Sequence, residues 1–370
     1  MNAVHILAAR RTAVVPRNGA FAGLALHEMA APVITALLQD SGLQAGQVGE
    51  VIVSNALGAG GNPARSVALA SGLPQVVAGL TLDRQCAGGL DAVLLAQIMV
   101  QSGMHDVVIA GGVESYSRRP LRLRTFADGR APEPYDQAPF TPWPDRDPGM
   151  AEAADRLGHE LGIPRVAQDE WAMDSHRKAL ECPAGILSVE IVGLLGQHRD
   201  GFARNLGPRH CARAPVVHGE ITAANMAVAA DAAAFVVVVS DRVARKSNGP
   251  MAQIIGGATL GGDPDLPGLA PVQAIGSVLS GAGIKPDDLA VAEVMEAFAV
   301  QAIACQQGAG LPARIVNPYG GALARGHPVG TSGAVLAVRL FHAMQRDPGY
   351  GLATIAAAGG LGTALLLRVG

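Results

Sequence analysis

The sequence predicts an α/β protein of two similar halves with a separate segment inserted, and three observations carry that reading. Strand-like and helical runs alternate along the first third. Two stretches of that third return near the C-terminus at almost constant spacing. Between them lies a region rich in proline and arginine that has the pattern of neither a sheet nor its covering helices.

The first third reads in order as a strand over Val4–Ala8, a helix over about Ala25–Ser41, a strand over Glu50–Asn55, a helix from Cys86 to about Gln101, and a strand over Asp106–Ala110. A β-α-β-α-β order predicts parallel strands, because parallel neighbours need a crossover long enough to hold a helix. The last strand is expected to end on the double glycine of Val107-Val108-Ile109-Ala110-Gly111-Gly112-Val113-Glu114-Ser115. From Arg118 to Pro148 there are seven prolines, and five arginines ahead of Arg146, with little apolar periodicity, so this reads as an excursion outside the core. Two amphipathic helices follow, roughly Met150–Leu161 and Val166–Leu180, and then a loop-like stretch over Glu190–Arg213 carrying Arg199, Arg204, Arg209, His210 and Arg213. Clustered arginines can meet phosphates, but a solvated surface is their commoner role.

Sheet character returns in Ala232-Ala233-Ala234-Phe235-Val236-Val237-Val238-Val239, a continuous apolar run of the kind buried on both faces. The repeat follows. Gly89-Leu90-Asp91-Ala92-Val93-Leu94-Leu95-Ala96 is echoed by Gly333-Ala334-Val335-Leu336-Ala337-Val338, and Val108-Ile109-Ala110-Gly111-Gly112 by Ile355-Ala356-Ala357-Ala358-Gly359-Gly360, at offsets of 244 and 248 residues. The expected division is an N-terminal half over 1–117 plus 221–246, an inserted cap over 118–220, and a C-terminal half over 247–370. The uncharged run from Pro348 to Leu367 approaches a membrane span in length, but five glycines break it into two strands meeting at a turn.

At 49% hydrophobic and 16% charged over 370 residues, the composition suits a globular protein with more than one core and no membrane span. A net charge of -3 argues against nucleic acid as the partner. Cys86, Cys182, Cys211 and Cys305 are scattered without C-x-x-C or His/Cys ligand spacing. That pattern suggests a reducing, cytoplasmic compartment and no metal site. The N-terminus, with arginines after a short apolar run, reads as a strand rather than a secretion signal.

Chemistry concentrates at Leu82-Asp83-Arg84-Gln85-Cys86-Ala87-Gly88-Gly89, where a cysteine and two glycines precede a helical apolar run. A cysteine at a helix N-terminus is expected to favour the thiolate, and glycines let a ligand approach the backbone. A buried, inert cysteine is the competing reading. In the second half, Gly326-His327-Pro328-Val329-Gly330-Thr331-Ser332-Gly333 places His327 at the position equivalent to Cys86. If the halves pair about a pseudo-two-fold axis, the histidine meets the cysteine and can take and return its proton.

These residues resemble the thiolase family. Cys86 in Arg84-Gln85-Cys86-Ala87-Gly88-Gly89 matches its acyl-accepting cysteine, Gly111-Gly112-Val113-Glu114-Ser115 an internal glycine motif, Glu296-Ala297-Phe298-Ala299 the "NEAF" segment, and Gly326-His327-Pro328 the "GHP" histidine. The resemblance implies a five-layered α/β/α/β/α fold of two βαβαβαββ halves with a loop domain, and a homodimer or homotetramer that uses acyl-coenzyme A as substrate with no separate cofactor. It implies Cys86 and His327 as catalytic residues, backbone N–H groups of Cys86 and Ala358 as the oxyanion site, and Met295, Phe298, Ala227 and Gly326 as substrate-binding positions.

Departures fall on the carbon–carbon bond-forming half of such a reaction. The second cysteine of thiolases aligns with Ala356, or in a related branch with Ala297, and the water-holding asparagine of the "NEAF" segment aligns with Met295. A pantetheine-contacting serine aligns with Ala227. Cys305 lies eight residues beyond Ala297, about two helical turns or ~12 Å away, and is a poor substitute. The expected function is an acyl-CoA-dependent acyltransferase, similar to acetyl-CoA C-acyltransferase, that forms an acyl-cysteine but has an impaired Claisen step. The alternative is a catalytically weak thiolase-like subunit of an acyltransferase complex. A dinucleotide-binding oxidoreductase is excluded because no Gly-x-Gly-x-x-Gly joins a strand to a helix with an acidic residue about twenty positions on.

Overall fold

A computed structural model describes residues 3–58 and 60–370. Its main strands are β1 (Val4–Arg11), β2 (Glu50–Ser54), β3 (Ala78–Leu82), β4 (Val107–Ser115), β5 (Ala230–Ser240), β6 (Ala252–Gly261), β7 (Leu289–Val294), β8 (Gly349–Ala357) and β9 (Leu361–Val369). The longer helices are α1 (Leu26–Ser41), α2 (Pro63–Ala70), α3 (Gly88–Gln101), α4 (Met150–Leu161), α5 (Arg165–Glu181), α6 (Ala270–Ala282), α7 (Ala299–Gly308) and α8 (Ser332–Met344).

The strands follow the path β7-β8-β9-β6-β1-β5-β4-β2-β3, and this path is two copies of one arrangement. In the first half β2 runs parallel to β3 and β4, while β5 is antiparallel to β4 and β1. In the second, β7 runs parallel to β8 and bridges Val316 in parallel, while β9 is antiparallel to β8 and β6. The copies join where β1 meets β6 at Val4↔Ile254, His5↔Gln253 and Ile6↔Ala252.

Side chains alternate between cores as the period of two requires. In β5, Ala232, Ala234, Val236 and Val238 enter the central core, while Ala233, Phe235, Val237 and Val239 enter an outer core under α1 and α2. In β9, Leu365 and Leu367 face the centre and Leu366 faces an outer core under α6. Helices α3 and α8 pack on each other between the two halves of the sheet. The result is five layers, α/β/α/β/α, as the resemblance implied. Each fully buried Val or Leu contributes roughly 1.5–3 kcal/mol.

Two expectations need correction. Strand β4 does not stop at the double glycine but continues to Ser115. A Cβ on Gly111 would lie 2.0 Å from the Ala234 carbonyl, and one on Gly112 would lie 2.8 Å from the Gly330 carbonyl. The glycines permit close approach rather than chain reversal. Helix α2 and strand β3 were not anticipated; Pro63 opens α2, and the Asn62 side chain caps it by accepting from the Arg65 N–H at 3.2 Å.

Residues 118–220 carry a small hairpin, Arg122–Arg124 with Glu133–Tyr135, and then α4 and α5, which pack on α7. The loop-like stretch after α5 ends in a short helix, Pro208–Arg213. Among the described residues no helix is long and apolar enough to cross a membrane.

Candidate active site

Helices α3 and α8 touch through glycine. A Cβ on Gly89 would lie 2.3 Å from the Ala334 nitrogen, and one on Gly333 would lie 2.4 Å from the Leu90 nitrogen. Only glycine permits this backbone contact, and it brings the N-terminal ends of both helices together. A 3-10 turn precedes each helix, Gln85–Ala87 before α3 and Val329–Thr331 before α8; the two turns touch, and the end of β8 packs on the first. Cys86 sits in the first turn, and its Sγ lies 3.1 Å from His327 Nε2.

The symmetry is looser than the sequence suggested. The 244-residue offset that relates Gly89 to Gly333 carries Cys86 onto Gly330, so His327 stands three residues upstream of the equivalent position. It lies in an extended segment held by its N–H bonding to the Val228 carbonyl at 2.7 Å. Gln85, just before the cysteine, has φ +50°, a left-handed conformation that costs a non-glycine residue roughly 1–3 kcal/mol. Its N–H donates to Asp83 Oδ1 at 2.7 Å, which helps to hold that turn.

The expected thiolate is not the resting form. Burial pushes the Cys86 thiol up to about 12, and the nearby Glu114 and Asp83 carboxylates push the same way. Burial also lowers His327 to about 4. Both residues are half-buried, and the helix-end effect, strong at an exposed terminus, is outweighed by loss of water. The pair rests as thiol and neutral imidazole. With S–H donating to Nε2, the ring proton is on Nδ1, 2.6 Å from Ser332 Oγ, which orients the ring.

Two buried carboxylates hold the surrounding loops, and neither role was legible in the sequence. Glu114 accepts from Asn55 Nδ2 at 2.8 Å, the Ala56 N–H at 2.9 Å and the Gly330 N–H at 3.1 Å, tying the loop after β2 to the turn after His327. Burial raises this carboxyl to about 7. Glu296 accepts from Trp171 Nε1 at 3.1 Å, Ser175 Oγ at 2.7 Å, Asn317 Nδ2 at 2.8 Å and the Leu323 N–H at 3.2 Å. It therefore joins α5 to the segment leading to His327. Beneath that segment lies a buried ionic network. Arg11 pairs with Glu190 at 2.9 Å and Asp200 at 2.7 Å, and Arg339 pairs with Glu190 at 2.9 Å and Glu293 at 3.3 Å. Arg325, two residues before His327, lies 4.0 Å from Glu293.

The other predicted positions separate into groups. Met295 and Ala227 are buried in the central core against which Cys86 and Ala297 pack, and the Ala227 N–H bonds to the Ala297 carbonyl at 2.9 Å. Ala358 is buried at the β8–β9 turn, and Ala356 is half-buried opposite Gly362. Gly326 has φ +116° and abuts Ala230. Phe298 packs elsewhere, with Leu157, Ile221 and Val300 at the junction of α4 and α7. Cys305 is buried with Sγ 3.2 Å from the Gly268 carbonyl. Cys211 is buried, Cys182 half-buried, and Arg199, Arg204, Arg209 and Arg213 are exposed. Among the described residues no cluster of His, Cys, Asp and Glu is arranged to hold a metal ion.

The thiolase N-terminal domain family matches residues 4–242, and the thiolase C-terminal domain family matches residues 248–369. The chain is 39% identical over 382 residues to "Putative acetyl-CoA C-acetyltransferase YhfS" of Bacillus subtilis (strain 168), with 100% of both chains covered. It is 38% identical over 401 residues to an acetyl-CoA acetyltransferase of Cupriavidus necator, again with 100% of both covered. Among solved structures, the Bacillus anthracis acetyl-CoA acetyltransferase superposes with TM-score 0.93 at 30% identity, covering 100% of this chain and 99% of the other.

Proposed function

The chain belongs to the thiolase family and is an acyltransferase, and from that premise we propose that Cys86 takes an acyl group from an acyl-coenzyme A thioester while the carbon–carbon step that usually follows is impaired. The observation that carries this reading is the 3.1 Å approach of Cys86 Sγ to His327 Nε2. As the sulfur attacks the thioester carbonyl, its proton passes to Nε2. The carbonyl becomes a tetrahedral oxyanion, for which the Cys86 and Ala358 N–H groups are the candidate donors. Collapse breaks the bond to coenzyme A, and the proton on Nε2 goes to the departing thiolate. A neutral pair suits this exchange, since no charge has to be buried before the substrate arrives.

A Claisen condensation needs more. A base must remove a proton from the α-carbon of a second thioester, and a donor must steady the enolate oxygen. Ala356, Ala297 and Met295 occupy the positions expected to do this, and none has a group for either task. A decarboxylating donor, or an acceptor that is not carbon, avoids the proton abstraction.

The test follows acetoacetyl-CoA synthesis and thiolysis by the purified chain, with Cys86→Ala as control. Slow or undetectable turnover is expected in both directions. Rates near the ~10 s⁻¹ median of enzymes would overturn the impaired-Claisen reading.

A further inference from the structure

Tyr116 follows β4 directly, next to the part of that strand that faces the site. Val113 faces the outer core, whereas Gly112 and Glu114 face the second half, against Gly330. Tyr116 is the first residue past the strand, in a bend two residues on from Glu114. The turn that carries it is fixed on both sides, by the Ser117 N–H to Asp231 Oδ1 at 3.0 Å and the Arg118 N–H to Ser115 Oγ at 3.1 Å. Because Ser115 pairs with Asp231 in an antiparallel register, Tyr116 comes alongside Ala230. Ala230 Cβ in turn lies 2.9 Å from where a Cβ on Gly326 would be, next to His327.

The electrostatics agree with this placement. Burial, then the neighbouring Cys86 sulfur and Glu114 carboxylate, push the half-buried Tyr116 phenol up to about 12, against the opposite pull of Arg119 and Arg17. The hydroxyl therefore stays protonated at neutral pH and can only donate or accept a hydrogen bond. Arg119, whose guanidinium is 5.8 Å from the ring centroid, is itself held by Asp136 at 3.1 Å.

We infer that the Tyr116 hydroxyl is a substrate-contacting hydrogen-bond donor of the acyl-transfer site, an inference that rests on the acyl-cysteine reading above. It supplies a side-chain donor in a site where Met295 offers none, and its partner is the carbonyl oxygen of the thioester being attacked. No proton leaves the phenol for good in this role; the bond strengthens as negative charge grows on the oxygen.

The test is exchange of isotopically labelled coenzyme A into acetyl-CoA, which needs only acylation of Cys86 and its reversal. Tyr116→Phe should lower the exchange rate by roughly 10²–10³-fold, as loss of one oxyanion donor does, with unchanged melting temperature and unchanged iodoacetamide alkylation of Cys86. Exchange at the wild-type rate would overturn the assignment. So would a loss matched by an equal fall in alkylation or in melting temperature, which would mark a general disturbance. Wild-type protein that shows no exchange would overturn the acyl-cysteine reading and this inference together, whereas active wild type with an unaffected Tyr116→Phe sinks this inference alone.

Discussion

Cys86 and His327 meet as a thiol and a neutral imidazole because the fold removes water from both, and this sets how each responds to change. Replacing His327 with Ala should slow acylation by roughly 10²–10⁴-fold, the usual contribution of a general acid–base group; single-turnover mass spectrometry with acetyl-CoA measures it. The imidazole must be neutral to accept the proton, and burial lowers it to about 4. The acid limb of the acylation rate should therefore fall near pH 4, and a limb at the ordinary histidine value of 6.5 would contradict the burial argument. His176 gives the matching prediction for stability. Its folded-state pKa is also lowered to about 4 by burial, so between pH 6.5 and 4 the unfolded chain binds a proton that the native chain does not. Stability from this group is present above 6.5 and lost as the pH falls toward 4. The advantage of wild type over His176→Asn in urea melts should accordingly shrink across that window.

At the level of elements, the site depends on how closely two helices approach. Gly89→Ala would place a methyl 2.3 Å from the Ala334 backbone nitrogen, a contact that no flexible side chain can relieve. Such overpacking typically costs about 1–3 kcal/mol, and here it also pushes apart the turn holding Cys86 and the turn that follows His327. Urea denaturation should show the loss, and coenzyme A exchange should fall with it. These glycines were legible as a repeated motif, although the reading that they lie where the two helices touch required the fold. The carboxylates were not legible. Glu114 finds its partners 58 and 216 residues away, and Glu296 joins residues 125 and 121 positions upstream to others downstream. No local pattern distinguishes such an acid from one on the surface. The thiolate expectation failed for a related reason, since helix position is local and burial is a property of the tertiary structure.

For the whole molecule, the α/β class and the duplicated halves followed from the alternation and the repeat, whereas the five layers were implied by the family resemblance. What escaped was α2 with β3, a strand of only five residues, none of them fully buried, whose Gly79 packs against the Ala64–Arg65 backbone. Strand β3 ends the sheet, its outer side is unpaired among the described residues, and Leu80 is partly exposed. An open edge of this kind is a pairing surface, and we propose a homo-oligomer, dimer or tetramer, assembled through it. Light scattering at micromolar concentration should give at least twice the mass of one chain. The central claim, that acyl transfer to Cys86 survives while carbon–carbon bond formation does not, is tested most directly by one liquid-chromatography mass measurement on protein incubated with acetyl-CoA. The account predicts a chain heavier by one acetyl group, the group mapping to Cys86, with acetoacetyl-CoA absent or accumulating slowly in the same sample. Unmodified protein, an adduct that persists in Cys86→Ala, or acetoacetyl-CoA accumulating at ordinary enzyme rates would contradict it.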